Sequence, residues 1–265
     1  MERYEKESYL KREIINQSRH LFIYGYQTEQ RERFARDLEK ENPIRMDSED
    51  PMAIYLEDFA LKKEKYDKKL DNHKIELICD SYLQFCIGHR LVQKTRQDVN
   101  IEELSSRIKK LLERIDRYSK NPDFPMIETV EDLERILEAS KKFYKRYYEA
   151  YIHGEETPDI KELAIPFLLL ENFVEDWKKV LKNDFYLCVL IEKKEPIDVR
   201  LTRAINFLVG GRINKNISMK IITDPNDWES YRDINGQAIE YIHDYGIVEL
   251  DDSNKEYIKE IKKGW

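Results

Sequence analysis

The amino-acid sequence predicts a three-layer α/β protein with a mostly parallel sheet and a large helical insertion. Short apolar runs that end at turn residues recur along the chain and alternate with helical patterns. One run, residues 185–191, is apolar without alternation, as expected of a strand buried on both faces. Between about residues 70 and 151, apolar residues recur every three or four positions. We therefore divide the chain into an α/β core, residues 1–69 and 156–265, and a helical insertion, residues 70–155.

The first strand is predicted within residues 21–24, where an apolar run stops at Gly25. Helix-compatible residues 3–19 precede it, and a charged helical pattern with one apolar face follows from about Glu29 to Glu41. Next, residues 44–46 resemble a short strand. Residues 52–56 fit either a strand or the start of a helix.

The second part of the core repeats the alternation of helices and strands. A helical stretch begins near residues 174–177 and leads to the predicted central strand, residues 185–191. A helix over residues 197–209 and strands over residues 219–222 and 245–250 complete it. Because strands separated by helices pair in parallel, this order predicts helices on the faces of the sheet.

Composition restricts the classes of partner. With 41% hydrophobic residues in a chain of 265, the protein has enough apolar surface for a sizeable core. The net charge of −7 would repel a nucleic-acid backbone unless a local basic patch overcomes it. The N-terminus is charged where a signal peptide would be apolar, and no apolar run is long enough to span a bilayer. We expect a cytoplasmic protein with no membrane association.

The turn after the first strand is the candidate binding site. Phosphate-binding loops read G-x-x-x-x-G-K-[S/T], and their backbone N–H groups, lysine and hydroxyl hold phosphates and magnesium. Residues 25–32 match this spacing with Gly25 in the first position and Thr28 inside the loop. The second glycine, the lysine and the hydroxyl residue are replaced by Gln30, Arg31 and Glu32. Arg31 keeps the positive charge, whereas Glu32 places a carboxylate where magnesium would be held.

A second altered position follows the predicted central strand. P-loop ATPases place two acids there, one for the magnesium ion and one for the attacking water. Glu192 keeps the first acid, but Lys193 replaces the second. The two changes together predict that the protein does not hydrolyse ATP.

The layout resembles a known family most clearly in residues 22–25, 54–59, 204–221 and 243–251. It is similar to the origin-recognition-complex-type (ORC-like) branch of the bacterial AAA+ P-loop ATPases, where a nucleotide loop, a helical block, a Walker B strand and a sensor strand follow in order. The resemblance implies a P-loop NTPase-like, AAA+-like fold and places the sensor position at Asp224. It also implies that a C-terminal lid domain, for which the chain has no room, is missing.

We interpret the chain as a degenerate member of that family, a pseudo-ATPase with no catalytic residues, no metal and no cofactor. Its expected role is that of a scaffold or regulatory subunit that contacts a protein partner or its own copies. The alternative is a nucleotide-binding switch or slow ATPase that holds ATP and magnesium. The residues implied for nucleotide binding are Gly25, Thr28, Arg31, Glu192 and Asp224.

A third hypothesis is nucleic-acid binding by residues 141–148, which combine lysine and arginine with aromatic rings. We favour the simpler interpretation that the rings form the buried side of a helix and the cations its solvated side. Cys79, Cys86 and His89 share one side of a predicted helix. Without a C-x-x-C pair, buried thiols are expected there instead of a zinc site.

Overall fold

A computed structural model describes residues 10–25, 27–43, 50–57, 59–61, 71–95, 101, 104, 109–110, 112, 127–157, 169–193, 197–210 and 216–250. The chain divides into two compact units. The first comprises residues 1–58, 185–196 and 206–265, and the second comprises residues 59–184 and 197–205. The predicted insertion, residues 70–155, falls within the second unit.

The first unit contains a five-stranded sheet in which every neighbouring pair is parallel. The strands lie in the order β2-β3-β4-β1-β5. Their bounds are β1 His20–Tyr24, β2 Pro51–Tyr55, β3 Tyr186–Glu192, β4 Ile217–Thr223 and β5 Tyr245–Glu249. The predicted α/β class and parallel sheet are confirmed. Of the ambiguous residues, 52–55 lie in β2, which begins one residue earlier and ends before Leu56. The architecture is compatible with three layers.

The central strands explain why their sequences are apolar throughout. From Leu187 onward every residue of β3 is buried, and all of β4 is buried, as expected of strands that are covered on both faces. In the register of the sheet, Leu190 of β3 lies beside Tyr55 of β2 and Lys220 of β4. Parallel pairing brings the carboxyl ends of all five strands to one edge.

Helix α1, Thr28–Glu41, packs its predicted apolar face into the core of the first unit. Phe34, Ala35 and Leu38 join residues of the sheet and two isoleucines of the helical residues 10–16 in one buried cluster. The spacing of these residues is the helical period, so one face is buried while the charged face meets solvent.

The second unit is helical in its described part. Helix α2, Asn72–Lys94, begins where the Asp71 carboxylate accepts from His73 N, and α3, Val130–Ile152, begins with a capping box of Thr129 and Asp132. The stacked rings of Phe85 and Tyr144, 5.4 Å apart, join α2 to α3. Helix α4 covers Leu169–Leu181. Helix α5, Val199–Gly210, belongs to the second unit up to residue 205.

Some predictions fall on residues outside the described ranges. Among these are the start of the helical stretch at residues 3–9, the short strand at residues 44–46 and the helix break near residues 121–125.

Candidate functional site at the carboxyl edge of the sheet

The turn between β1 and α1 is shorter than the predicted loop. Strand β1 ends at Tyr24 and α1 begins at Thr28, so residues 25–27 alone connect them. Arg31 N donates to Gln27 O over 3.1 Å, which closes the first helical turn. The predicted loop, residues 25–32, therefore has most of its length inside α1, because the helix starts two residues before Gln30.

Both backbone groups of Gly25 are bound within the protein. Gly25 N donates to Thr223 O over 3.1 Å and extends the ladder between β1 and β4. Gly25 O accepts from Arg31 Nη1 over 2.7 Å. An anion cradle presents N–H groups to its ligand, whereas this turn presents a carbonyl oxygen to a cation.

Side chains fill the space beside Gly25. A Cβ atom at this position would lie 3.2 Å from Leu250 Cδ1 and 3.5 Å from Arg31 Cγ. Leu250 is held there because its N–H donates to Tyr24 O over 2.8 Å. The close contact with Leu250 and Arg31 therefore accounts for a glycine at this position, and no ligand is needed to explain it.

The Arg31 guanidinium is the centre of the site. Arg31 is only 2% exposed. Besides its bond to Gly25, its Nη2 donates to Thr28 Oγ1 over 3.2 Å. Its Nε faces Glu192 Oε1 at 3.9 Å, an ion-pair distance that is too long for a hydrogen bond. The planar fork of donors is directed at acceptors of the same chain.

Glu192 is held on its other oxygen by Tyr55. The Tyr55 hydroxyl donates to Glu192 Oε2 over 2.6 Å, so the ends of β2 and β3 are joined beside Arg31. Burial, followed by this bond to a carboxylate, raises the pKa of the Tyr55 phenol well above its ordinary value. Tyr55 consequently remains a donor throughout the physiological pH range.

The exposed side of the same edge carries a second ionic group. Arg36 donates to Glu32 Oε1 over 2.8 Å and to Glu57 Oε1 over 2.6 Å, and its guanidinium lies 5.8 Å from the centre of the Tyr55 ring. Glu32, at the position that would hold magnesium in a P-loop, is thus paired with Arg36. Both acids favour the cation and raise the pKa of Arg36.

Lys193 and Asp224 are engaged elsewhere along this edge. Lys193 is buried, and its Nζ donates to Asp227 O and lies 5.9 Å from the Trp228 ring centre. The Asp224 carboxylate accepts from Asn226 N over 2.8 Å at the start of a short 3-10 helix, Pro225–Asp227.

Four of the five predicted site residues meet in this arrangement, since Arg31 contacts Gly25, Thr28 and Glu192. Asp224 is bonded to its own turn instead. Sequence reasoning missed Tyr55, although a signal was present. A tyrosine that ends a strand beside the strand ending in Glu192 is placed to bond that acid once the two strands are paired.

The basic and aromatic residues 141–148 separate into two faces of α3. Tyr144, Tyr147 and Tyr148 are buried, whereas Lys142, Lys145 and Arg146 are exposed. These three buried rings cannot stack on bases, and the fourth ring, Phe143, is half-buried. This arrangement is the one expected of a helix with an apolar buried side.

Cys79 and Cys86 are buried thiols, and burial raises the pKa of Cys86 to about 12. Within the described ranges, no group of three or more His, Cys, Asp and Glu side chains is placed to hold a metal ion. None of the helices described above is both long and apolar enough to cross a membrane.

Comparison with family models, with curated proteins and with solved structures found no match to this chain.

Proposed function

We propose that this chain is a degenerate P-loop-like, AAA+-like protein that does not hydrolyse ATP and acts as a scaffold or regulatory subunit through protein–protein contacts. The observation that carries the proposal is the bond from Arg31 Nη1 to Gly25 O. This bond places the Arg31 side chain against the turn where a P-loop would hold a phosphate. The guanidinium that could bind the phosphate is therefore already bonded within the protein.

The charges around the turn support the same conclusion. Glu192 offers one carboxylate to Arg31, and the next position carries the buried Lys193 in place of a second acid. Hydrolysis in P-loop enzymes needs a held metal ion and a positioned water. Lys193, bonded to a backbone carbonyl, supplies neither function.

Calorimetry with ATP and magnesium tests the proposal, together with an assay of phosphate release. We expect no heat of binding at micromolar nucleotide and no phosphate release. Micromolar binding accompanied by release of phosphate would contradict it.

A matched variant makes a negative result informative. The substitutions Gln30→Gly, Arg31→Lys and Glu32→Thr restore the P-loop pattern in the same chain, and Lys193→Glu restores the second acid. If the natural chain does not bind nucleotide and the restored chain does, the substituted side chains account for the difference. If it folds without gaining binding, the descent of this turn from a nucleotide pocket loses its support.

The second candidate function is a nucleotide-binding switch that uses Arg31 and Glu192. The convergence of Gly25, Thr28, Arg31 and Glu192 on one edge of the sheet favours it. This hypothesis predicts that nucleotide raises the melting temperature and that Arg31→Ala abolishes the shift. A thermal-shift screen in which no nucleotide stabilises the natural chain would exclude it.

A further inference from the structure

We propose that Arg31 and Glu192 form an autoinhibitory latch that closes the N-terminal end of α1 to oxyanions. In the latch, the charge of Glu192, 3.9 Å from Nε, keeps the guanidinium on its internal acceptors, and removal of that charge opens it. The inference rests on the proposed function, because both require that the natural chain keep phosphates out of this turn.

The first argument is the geometry of the guanidinium. Its two terminal nitrogens donate to Gly25 O and Thr28 Oγ1, which are neutral acceptors. The Nε atom is buried and has no hydrogen-bond acceptor. The two neutral bonds and the nearby carboxylate of Glu192 hold a cation that retains one unused donor.

The second argument is the asymmetry between the two kinds of acceptor. Hydrogen bonds from a guanidinium to an ionised oxyanion are about twice as strong as bonds between neutral groups, and an arginine can form two in parallel. If Gly25 O and Thr28 Oγ1 were the only groups that hold Arg31, its guanidinium would exchange them for a phosphate. The Glu192 carboxylate opposes this exchange through its charge.

The third argument concerns what holds Glu192. Its Oε2 accepts from Tyr55 over 2.6 Å, and its side chain is 0% exposed. The carboxylate is thus fixed at the end of β3 while Arg31 is carried by α1. The pair joins the turn to the sheet. When the latch opens, the guanidinium and the N–H groups in the first turn of α1 can bind the same oxyanion.

Titration with inorganic pyrophosphate tests the latch by calorimetry. The natural chain is compared with Glu192→Gln, with Glu192→Gln combined with Arg31→Met, and with the control Glu57→Gln. Glu57 is an exposed carboxylate at the same sheet edge that pairs with Arg36. The control removes one negative charge without touching Arg31.

We expect Glu192→Gln to bind pyrophosphate about tenfold or more tightly than the natural chain, because its guanidinium is free to form charge-assisted hydrogen bonds to the ligand. The double variant should lose this gain, and Glu57→Gln should behave as the natural chain does. Equal binding by the natural chain and Glu192→Gln would overturn the latch, as would full binding by the double variant.

A second measurement covers the case in which Glu192→Gln does not fold, as judged by circular dichroism. The Nε–H signal of Arg31 in ¹⁵N-resolved NMR, assigned by its loss in Arg31→Lys, reports on the guanidinium of the natural chain. A latched guanidinium gives a signal that exchanges slowly with water and broadens in Tyr55→Phe. A fast-exchanging signal in the natural chain would overturn the proposal.

The latch can fail while the proposed function stands, so the two failures are distinguishable. Release of phosphate from ATP by the natural chain would remove the proposed function. The latch is judged by the ratio of pyrophosphate affinities between Glu192→Gln and the natural chain.

Discussion

Tyr55 donates its hydroxyl hydrogen to Glu192 Oε2 over 2.6 Å, and this bond joins the carboxyl ends of two neighbouring strands inside the protein. Both residues are buried. A buried carboxylate is costly unless donors surround it, so the phenol supplies part of what water would otherwise provide.

Replacement of Tyr55 by Phe should destabilise the protein. The change removes only the hydroxyl, and the loss of a hydrogen bond to a charged group costs about 1.5–3 kcal/mol. Chemical denaturation followed by circular dichroism measures the free energy of unfolding. Tyr151→Phe, at a partly exposed ring in α3, is the control and should change that energy by less than about 0.5 kcal/mol. Equal effects of both substitutions would contradict the role of the bond.

Arg31 and Glu192 should show energetic coupling in a double-mutant cycle. Removal of one partner of a buried ion pair leaves the other charge uncompensated and costs about 3–5 kcal/mol. Because Arg31→Met combined with Glu192→Gln removes both charges, the double variant should lose about 1–3 kcal/mol less than the sum of the single variants. Denaturation curves of the four proteins give the coupling energy. Additive losses would mean that the 3.9 Å separation of Nε and Oε1 carries no interaction.

Asp80 should make the stability of the protein depend on pH. Burial in α2 raises the pKa of Asp80 from 3.8 to about 7, and a bond from Gln84 opposes this shift. Between about pH 4 and 7 the unfolded chain releases this proton while the folded chain retains it. The contribution of Asp80 to the free energy of unfolding therefore falls as pH rises through that window and is constant above it.

The substitution Asp80→Asn removes the titration and keeps an oxygen for Gln84. It should leave stability unchanged near pH 4 and raise it above pH 7 by up to about 4 kcal/mol. Denaturation at several pH values measures the difference. Asp184→Asn, at an exposed carboxylate, is the control. A difference that does not change with pH would show that Asp80 does not titrate in this window.

Secondary structure was predictable from the sequence where apolar residues recurred with a helical period or formed an uninterrupted run. The runs around Phe22, Val189 and Ile221 became β1, β3 and β4, because strands that are buried on both faces need apolar residues throughout. Residues 52–56 stayed ambiguous because a short apolar run fits a strand or a buried helix, and pairing with β3 decides between them.

The candidate site was only partly predictable, for a different physical reason. Gly25, Thr28 and Arg31 were singled out by the spacing of a loop pattern and Glu192 by its place after the central strand, and parallel pairing brings these positions to one edge. The direction of the Arg31 side chain depends on competition among Gly25 O, Thr28 Oγ1 and Glu192. Residue spacing does not show which of these acceptors a side chain will bind. It also does not show that Lys220, within an apolar strand, is buried.

Lys220 shows how a charged residue is accommodated in the central strand β4. It is 0% exposed, and its Nζ donates to Gln17 O over 2.7 Å and to Arg19 O over 2.6 Å. Burial lowers the pKa of Lys220 to about 8. The ammonium group thus fixes the segment that leads from the helical residues 10–16 into β1.

The aromatic residues of α3 should contribute to stability and not to nucleic-acid binding. Tyr144 is fully buried and stacks on Phe85, so Tyr144→Ala should cost about 3–5 kcal/mol, as other large-to-small core substitutions do. Lys145→Ala, on the exposed face of the same helix, should change stability by less than about 0.5 kcal/mol. Fluorescence anisotropy with a labelled single strand completes the test. Salt-sensitive binding that Lys145→Glu abolishes would restore the nucleic-acid hypothesis.

Asn206 should control the order of the segment between β4 and β5. Its Nδ2 donates to Ser230 O over 2.7 Å and to Arg232 O over 2.9 Å, and its Oδ1 accepts from Trp228 Nε1 over 3.3 Å. One buried amide therefore satisfies three polar groups of that segment, and Asn206→Ala leaves them without this partner. A lost hydrogen bond costs about 0.5–1.5 kcal/mol, so the segment should open more often than the strands of the sheet. Hydrogen exchange read by mass spectrometry should show faster exchange at residues 228–239 in the variant and unchanged protection in β3. The matched control is Asn226→Ala, because Asn226 is exposed and its side-chain amide bonds only to Asp224 of the same turn among the contacts described. Equal exchange in both variants would show that Asn206 does not hold the segment in place.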